Sequence, residues 1–120
     1  MLERARFESE HGDAAAAVTL ARAAYASRPS IHSADALAWA LYRAGNVDGA
    51  ARFMREALRL NTQDATLHFH AGMIAAARGD TAAAATHLQT ALRLNPHFSR
   101  AQAEAARAQL AALNSEISRR

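Results

Sequence analysis

Residues 65–98 read ATLHFHAGMIAAARGDTAAAATHLQTALRLNPHF, two short apolar-faced segments hinged at Gly79-Asp80 and closed by Asn95-Pro96. The same punctuation recurs upstream. Gly12-Asp13, Gly45-Asn46 and Gly79-Asp80 are separated by 33 and then 34 residues. Each pair follows one apolar-periodic segment and precedes another. The two prolines, Pro29 and Pro96, lie 67 residues apart, one step of each kind, and both stand where the second segment of a unit stops. A fixed period of this length is the mark of a repeat architecture.

Within one unit the pattern predicts helix, turn, helix. From Asp35 to Tyr42 the large apolar groups recur at three- and four-residue intervals with no β-branched run, the spacing of a helix face. Gly45 supplies a residue that can turn left-handed to end that helix, and Asn46 can cap the next. Val47 to Leu60 repeats the spacing through Ala50, Met54, Ala57 and Leu58, and Asn61-Thr62-Gln63-Asp64 are turn and cap formers. A hairpin this small cannot bury its apolar face alone and needs neighbours. Ala38 and Gly72, Ala50 and Ala84, and Ala57 and Ala91 fall at equivalent places in successive units, and side chains so small draw helix axes towards the short end of the roughly 8–10 Å range.

These residues resemble the tetratricopeptide repeat (TPR) family. Its signature runs Trp-x2-Leu-Gly-x2-Tyr, Ala-x3-Phe-x2-Ala, then Pro. The second unit has Ala34-x2-Leu37-Ala38-x2-Leu41, Ala50-x3-Met54-x2-Ala57 and Thr62; the third has His68-x2-Ala71-Gly72-x2-Ala75, Ala84-x3-Leu88-x2-Ala91 and Pro96. The small positions match and the aromatic ones are replaced. The expected fold is therefore an all-α TPR helical-hairpin solenoid, a right-handed superhelix, forming a single domain over 1–120. Residues 1–30 form a partial first repeat, 31–64 and 65–98 two full repeats, and 99–120 a capping helix. Met1 to His11 is a shortened first helix with Arg4 and Glu8 at places that should be apolar. The capping helix is expected to turn Ala101, Ala105, Ala108, Leu110, Ala112, Leu113 and Ile117 inward, with Arg100, Glu104 and Arg107 outward.

Composition narrows the function classes. At 120 residues the chain suits one domain, and just over half of it is apolar, mostly Ala. There is no Cys, hence no disulfide, thiolate metal site or nucleophilic thiol. All 14 positive side chains other than His are Arg, and the net charge is only +3, which disfavours nucleic acid and membrane surfaces as partners. Arg without Lys, alongside abundant Ala, reads as the bias of a GC-rich genome and suggests a short array of bacterial type. No apolar run spans a bilayer, and Met1 to Arg6 lacks the features of a signal peptide, so a soluble, cytoplasmic chain without membrane insertion is expected, with a fragment of an exported protein as the alternative.

The resemblance implies a concave groove walled by the first helix of each repeat. At repeat spacing it would place Asp35 beside Phe69, Trp39 beside Met73, Tyr42 beside Ala76 and Arg43 beside Ala77, with His70 and Arg107 near the C-terminal end. Peptide-binding candidates are thus Asp35, Trp39, Tyr42, Arg43, Phe69, His70 and Met73. Trp39 is the sharpest: exposed on the wall it could anchor an apolar or amphipathic segment, contributing about 2–4 kcal/mol, whereas in the core it would fill gaps beside small residues. A TPR subset grips peptide carboxylates through Lys and Asn; the matching sites here hold Asp35, Trp39 and His70, only Arg100 could serve as a clamp cation, and an acid at the mouth would repel the ligand. His68 and His70 sit about 200° apart around a helix and cannot chelate one ion together, although His32, His87 and His97 could approach them. Arg52, Arg55 and Arg59, with Arg22 and Arg93, form a basic row interrupted by Glu56 and lacking an aromatic platform. No nucleophile–base pair, carboxylate pair or phosphate loop is present. The expectation is a non-enzymatic protein-binding scaffold with no cofactor, metal or small-molecule substrate. The alternatives are a homo-oligomeric assembly module joined through open solenoid ends and, more weakly, an adaptor contacting acidic partners through the Arg row.

Overall fold

The computed structural model describes residues 13–96 and 99–118, and within them every regular element is helical. The elements are α1 (Ala14–Ser27), α2 (Ile31–Arg43), α3 (Val47–Leu58), α4 (Ala65–Ala77), α5 (Thr81–Leu94) and α6 (Arg100–Ser118). The expected helix over Met1 to His11 lies outside the described residues, as do Gly12, His97 and Phe98 and the side chain of Ile117.

Each helix start is capped by the residue that the local sequence provides. Asp13 accepts from the amides of Ala15 and Ala16, Asn46 from Gly49, Asp64 from Thr66 and Leu67, and Asp80 from Ala83. Ser30 and Ser33 form a reciprocal capping box at the head of α2. Each such cap stabilises its helix by about 1 kcal/mol.

The two hairpin turns share one geometry. In the first, the amide of Gly45 donates to Tyr42 O and that of Asn46 to Leu41 O; in the second, Gly79 donates to Ala76 O and Asp80 to Ala75 O. This is the Schellman ending, and its left-handed residue has φ +89° at Gly45 and +82° at Gly79. Asn46 and Asp80 close one helix with their backbone amides and open the next with their side chains. That double duty is why a Gly-Asn or Gly-Asp pair marks each turn. At the end of α3 a left-handed Asn61 (φ +51°) does the stopping, and the helix ends at Leu58, two residues short of the apolar run.

The chain divides into two compact units between Thr62 and Gln63, close to the repeat boundary expected after Asp64. In the first unit α2 packs against both α1 and α3; in the second, α4 packs against α5, and α6 against α5 and more lightly α4. Signature positions form the interior of each. Ala34, Leu37, Ala38, Ala50 and Ala57 are fully buried in the first unit, as are Ala84, Leu88 and Ala91 in the second.

At Gly72 the helices α4 and α5 approach closely. A Cβ placed on Gly72 would come within 2.6 Å of Leu88 Cγ and 2.7 Å of its Cδ2. Leu88 therefore occupies the volume that a side chain at 72 would need.

The inward face of α6 differs from expectation. Ala103, Ala106 and Leu113 are buried and Leu110 is half-buried, while Ala101, Ala105, Ala108 and Ala112 are exposed. With Ala on nearly every face of this helix, the stripe carrying two Leu residues offers the most area to bury, and it faces the hairpin. Arg100, Glu104 and Arg107 are exposed, as expected.

The Gly72–Leu88 contact has a measurable signature. Gly72→Ala should lower unfolding free energy by about 1–3 kcal/mol through overpacking, despite the roughly 1 kcal/mol advantage of Ala over Gly in a helix. In a Leu88→Ala chain the same step should become neutral or stabilising. Urea denaturation of the four proteins of this cycle measures both effects.

Candidate functional site

The first helix of each hairpin holds the candidate binding residues. In α2 an unbroken run from Ser33 to Leu41 is buried, and exposure opens at its two ends, with Ile31 half-buried and His32 exposed before the run and Tyr42 half-buried and Arg43 exposed after it. Trp39 retains 6% of its surface and Asp35 5%. Of the two places open to Trp39, groove wall or core, the burial of its indole favours the core. Asp35 is likewise buried and does not stand at an open mouth. The indole does reach the surface indirectly, because its ring stacks on Tyr42 with centroids 4.8 Å apart and planes inclined by 23°. One face of a half-exposed Tyr is thereby fixed against a buried Trp.

In α4, Phe69 and His70 are buried at 3% and 1% exposure, and their rings lie 5.9 Å apart. Met73, one turn on, is half-buried. Of the seven candidates, Tyr42, Arg43 and Met73 offer surface, and Asp35, Trp39, Phe69 and His70 lie beneath it.

Two clusters stand apart from these residues. His68 Nδ1 and His87 Nδ1 are 3.1 Å apart across the α4–α5 hairpin, with ring centroids 5.3 Å apart. His68 is buried and His87 half-buried. Burial holds the His87 pKa below its usual value, helped by His68 and opposed by Asp80. His70, adjacent in sequence terms, points elsewhere. Among the described residues no group of three or more His, Asp or Glu side chains is placed to hold a metal ion.

The second cluster is the Arg row. Arg52, Arg55 and Arg59 are all exposed along α3, as is Arg22 on α1. Glu56, which interrupts the row, accepts a short hydrogen bond from the Tyr25 hydroxyl, and this bond chiefly raises the Tyr25 pKa. Tyr25 meets Phe53 edge-on at 5.3 Å, and the Arg52 guanidinium lies 5.4 Å over the Phe53 ring. The row therefore does have an aromatic pair beside it, contrary to the sequence reading. Tyr25 and Phe53 were missed because they sit on different helices, 28 positions apart; the signal was available only in their shared phase.

Near the start of α6, a cleft of about 330 Å³ is lined by Pro96, Arg100, Ala103, Glu104 and Arg107. Its cations are engaged locally: Arg107 donates to the Pro96 carbonyl at 2.9 Å, and Arg100 pairs with Glu104 at 3.6 Å.

The family model of the tetratricopeptide repeat matches this chain twice, over residues 2–65 and 36–97. The chain belongs to the tetratricopeptide repeat family. No curated protein matches it. TPR domains generally mediate protein–protein interaction, and the family is a non-enzymatic interaction repeat. Proteins are accordingly the partner class, and among the described residues no helix is long and apolar enough to cross a membrane.

Family membership also explains the uneven match to the signature. The small TPR positions are kept because they set helix separation, whereas the large aromatic positions are filled here by Ala34, Leu41, Met54, His68, Ala75 and Leu88. Most of these are buried, and Ala75 is half-buried. The bulk removed from the signature sites returns in part at Trp39 and Phe69, which the signature does not specify.

Because Trp39 is interior, Trp39→Ala should cost about 3–5 kcal/mol of stability and lower the melting temperature sharply. Thermal melting by far-ultraviolet circular dichroism reads this directly. A melting temperature unchanged from wild type would place the indole outside the core.

Proposed function

We propose that this TPR domain is a scaffold that holds an apolar or amphipathic peptide segment of a partner protein, using the first helix of each hairpin. On α2 the contacts are Tyr42 and Arg43, with Asp35 and Trp39 buried in the same helix; on α4 the contact is Met73, with Phe69 and His70 buried in that helix. The observation that carries this reading is the Trp39–Tyr42 stack. A half-exposed Tyr fixed by a buried Trp loses little side-chain entropy on binding, which favours it as an anchor. Met73 adds an adaptable apolar surface, and Arg43 a cation for the polar edge of an amphipathic segment.

A second reading has its own observation. The exposed Arg52, Arg55 and Arg59, with Arg52 over Phe53, would suit an acidic partner. Binding through these cations would weaken steeply with salt, whereas an apolar segment on Tyr42 and Met73 would be held with little salt dependence. A third possibility, self-assembly through the ends of the array, makes a second copy the partner and would give a scattering mass that rises with concentration.

Peptides selected from a random library against the immobilised chain test the first reading. The selected sequences should be apolar or amphipathic, and Tyr42→Ser and Met73→Ser should each weaken their binding about tenfold or more while leaving the melting temperature within a few degrees of wild type. Acidic consensus peptides whose binding survives both substitutions and disappears in Arg52→Ser/Arg55→Ser would favour the second reading instead.

A further inference from the structure

We propose that His68 and His87 form a proton-sensitive latch that ties α4 to α5, so that acidification loosens the second hairpin. The geometry constrains how many protons the pair can hold. With the two Nδ1 atoms 3.1 Å apart, one must carry the bridging hydrogen and the other must present a lone pair. A neutral pair therefore consists of one Nδ1–H and one Nε2–H tautomer. The first added proton can go to the outer nitrogen of the donor ring and leave the bridge intact. The second has only the accepting Nδ1 available, which would set two N–H groups and two positive charges against each other. One ring must then swing away, and the bridge between the helices is lost.

Position makes this costly and accessible together. His68 is 7% exposed, so a charge on it would be held away from water, while half-buried His87 gives protons a route in. Charged and titratable groups surround the pair. Asp80, the cap of α5, favours a charge on His87, and His68 on α4 opposes it. Asp64, the cap of α4, lies one turn before His68 with its Oδ1 accepting from the amides of Thr66 and Leu67, and His70 projects about 200° away. Arg78, Arg93 and, on α6, Arg100, Glu104 and Arg107 are exposed.

The direction of the pH effect follows. The folded-state pKa of His87 is depressed, so the unfolded chain takes up the proton first. The stability contributed by neutral His87 is complete above the unfolded value of about 6.5 and is lost as pH falls from there through the lower folded value.

The test uses the full chain. Its melting temperature should fall by about 3–6 °C or more between pH 7.5 and pH 5. In His87→Gln, which keeps hydrogen-bonding capacity without a titratable ring, that fall should shrink to less than half, while His32→Gln, which alters an exposed histidine of the first unit, should retain it. Because His87→Gln alters a half-buried side chain, ¹⁵N imidazole spectra of the wild-type chain at pH 7.5 give a second readout, with complementary tautomers expected for His68 and His87. A full wild-type fall in His87→Gln, or two Nε2–H tautomers titrating independently, would overturn the proposal.

Discussion

The structure depends on how closely two helices of a hairpin can approach, and that distance is set where Leu88 of α5 fills the space left by the missing side chain of Gly72 on α4. Ala at 84 and 91 extends the same condition along α5, where both are fully buried. Close approach substitutes for bulk. An Ala-rich interior has little apolar area per residue, so its cohesion comes from many short-range contacts, which fall away quickly if the helices separate. The Schellman turns and side-chain caps fix where each helix begins and ends, and thereby the register in which small residues meet.

The repeat, the turns and the caps were legible in the sequence because they are local. Gly45-Asn46 and Gly79-Asp80 announce their geometry through the only residue types that meet its demands, and Asp13, Asp64 and Asp80 cap as their positions predict. Facing was harder to read. On α6, Ala lies on every side, so composition could not favour 101/105/108/112 over 103/106/110/113; the two Leu residues decided it. Trp39 was ambiguous for a related reason: its apolar area suits an interface and a core equally, and the deciding factor was how far neighbouring helices close over it. The His68–His87 and Tyr25–Phe53 contacts join different helices, and their pairing depends on hairpin phase to within a fraction of a turn.

For function, burial redistributes roles among the candidates without moving them off their helices. Residues that carry most apolar area, Trp39 and Phe69, are committed to the interior, and the surface is left to Tyr42, Arg43 and Met73. This is economical for a small scaffold. Trp39, buried in α2, also holds one face of Tyr42, so under the proposed reading stability and recognition would share one stack. Substitutions at Trp39 would therefore disturb binding and folding together, and only the outer residues can separate them.

The central claim is that partner recognition uses the exposed ends of α2 and α4. Amide hydrogen exchange of the chain, alone and saturated with a selected peptide, tests it most directly. The account expects added protection concentrated in the C-terminal halves of α2 and α4, around Tyr42, Arg43 and Met73. Protection confined to α3 around Arg52, Arg55 and Arg59, with α2 and α4 unchanged, would contradict it.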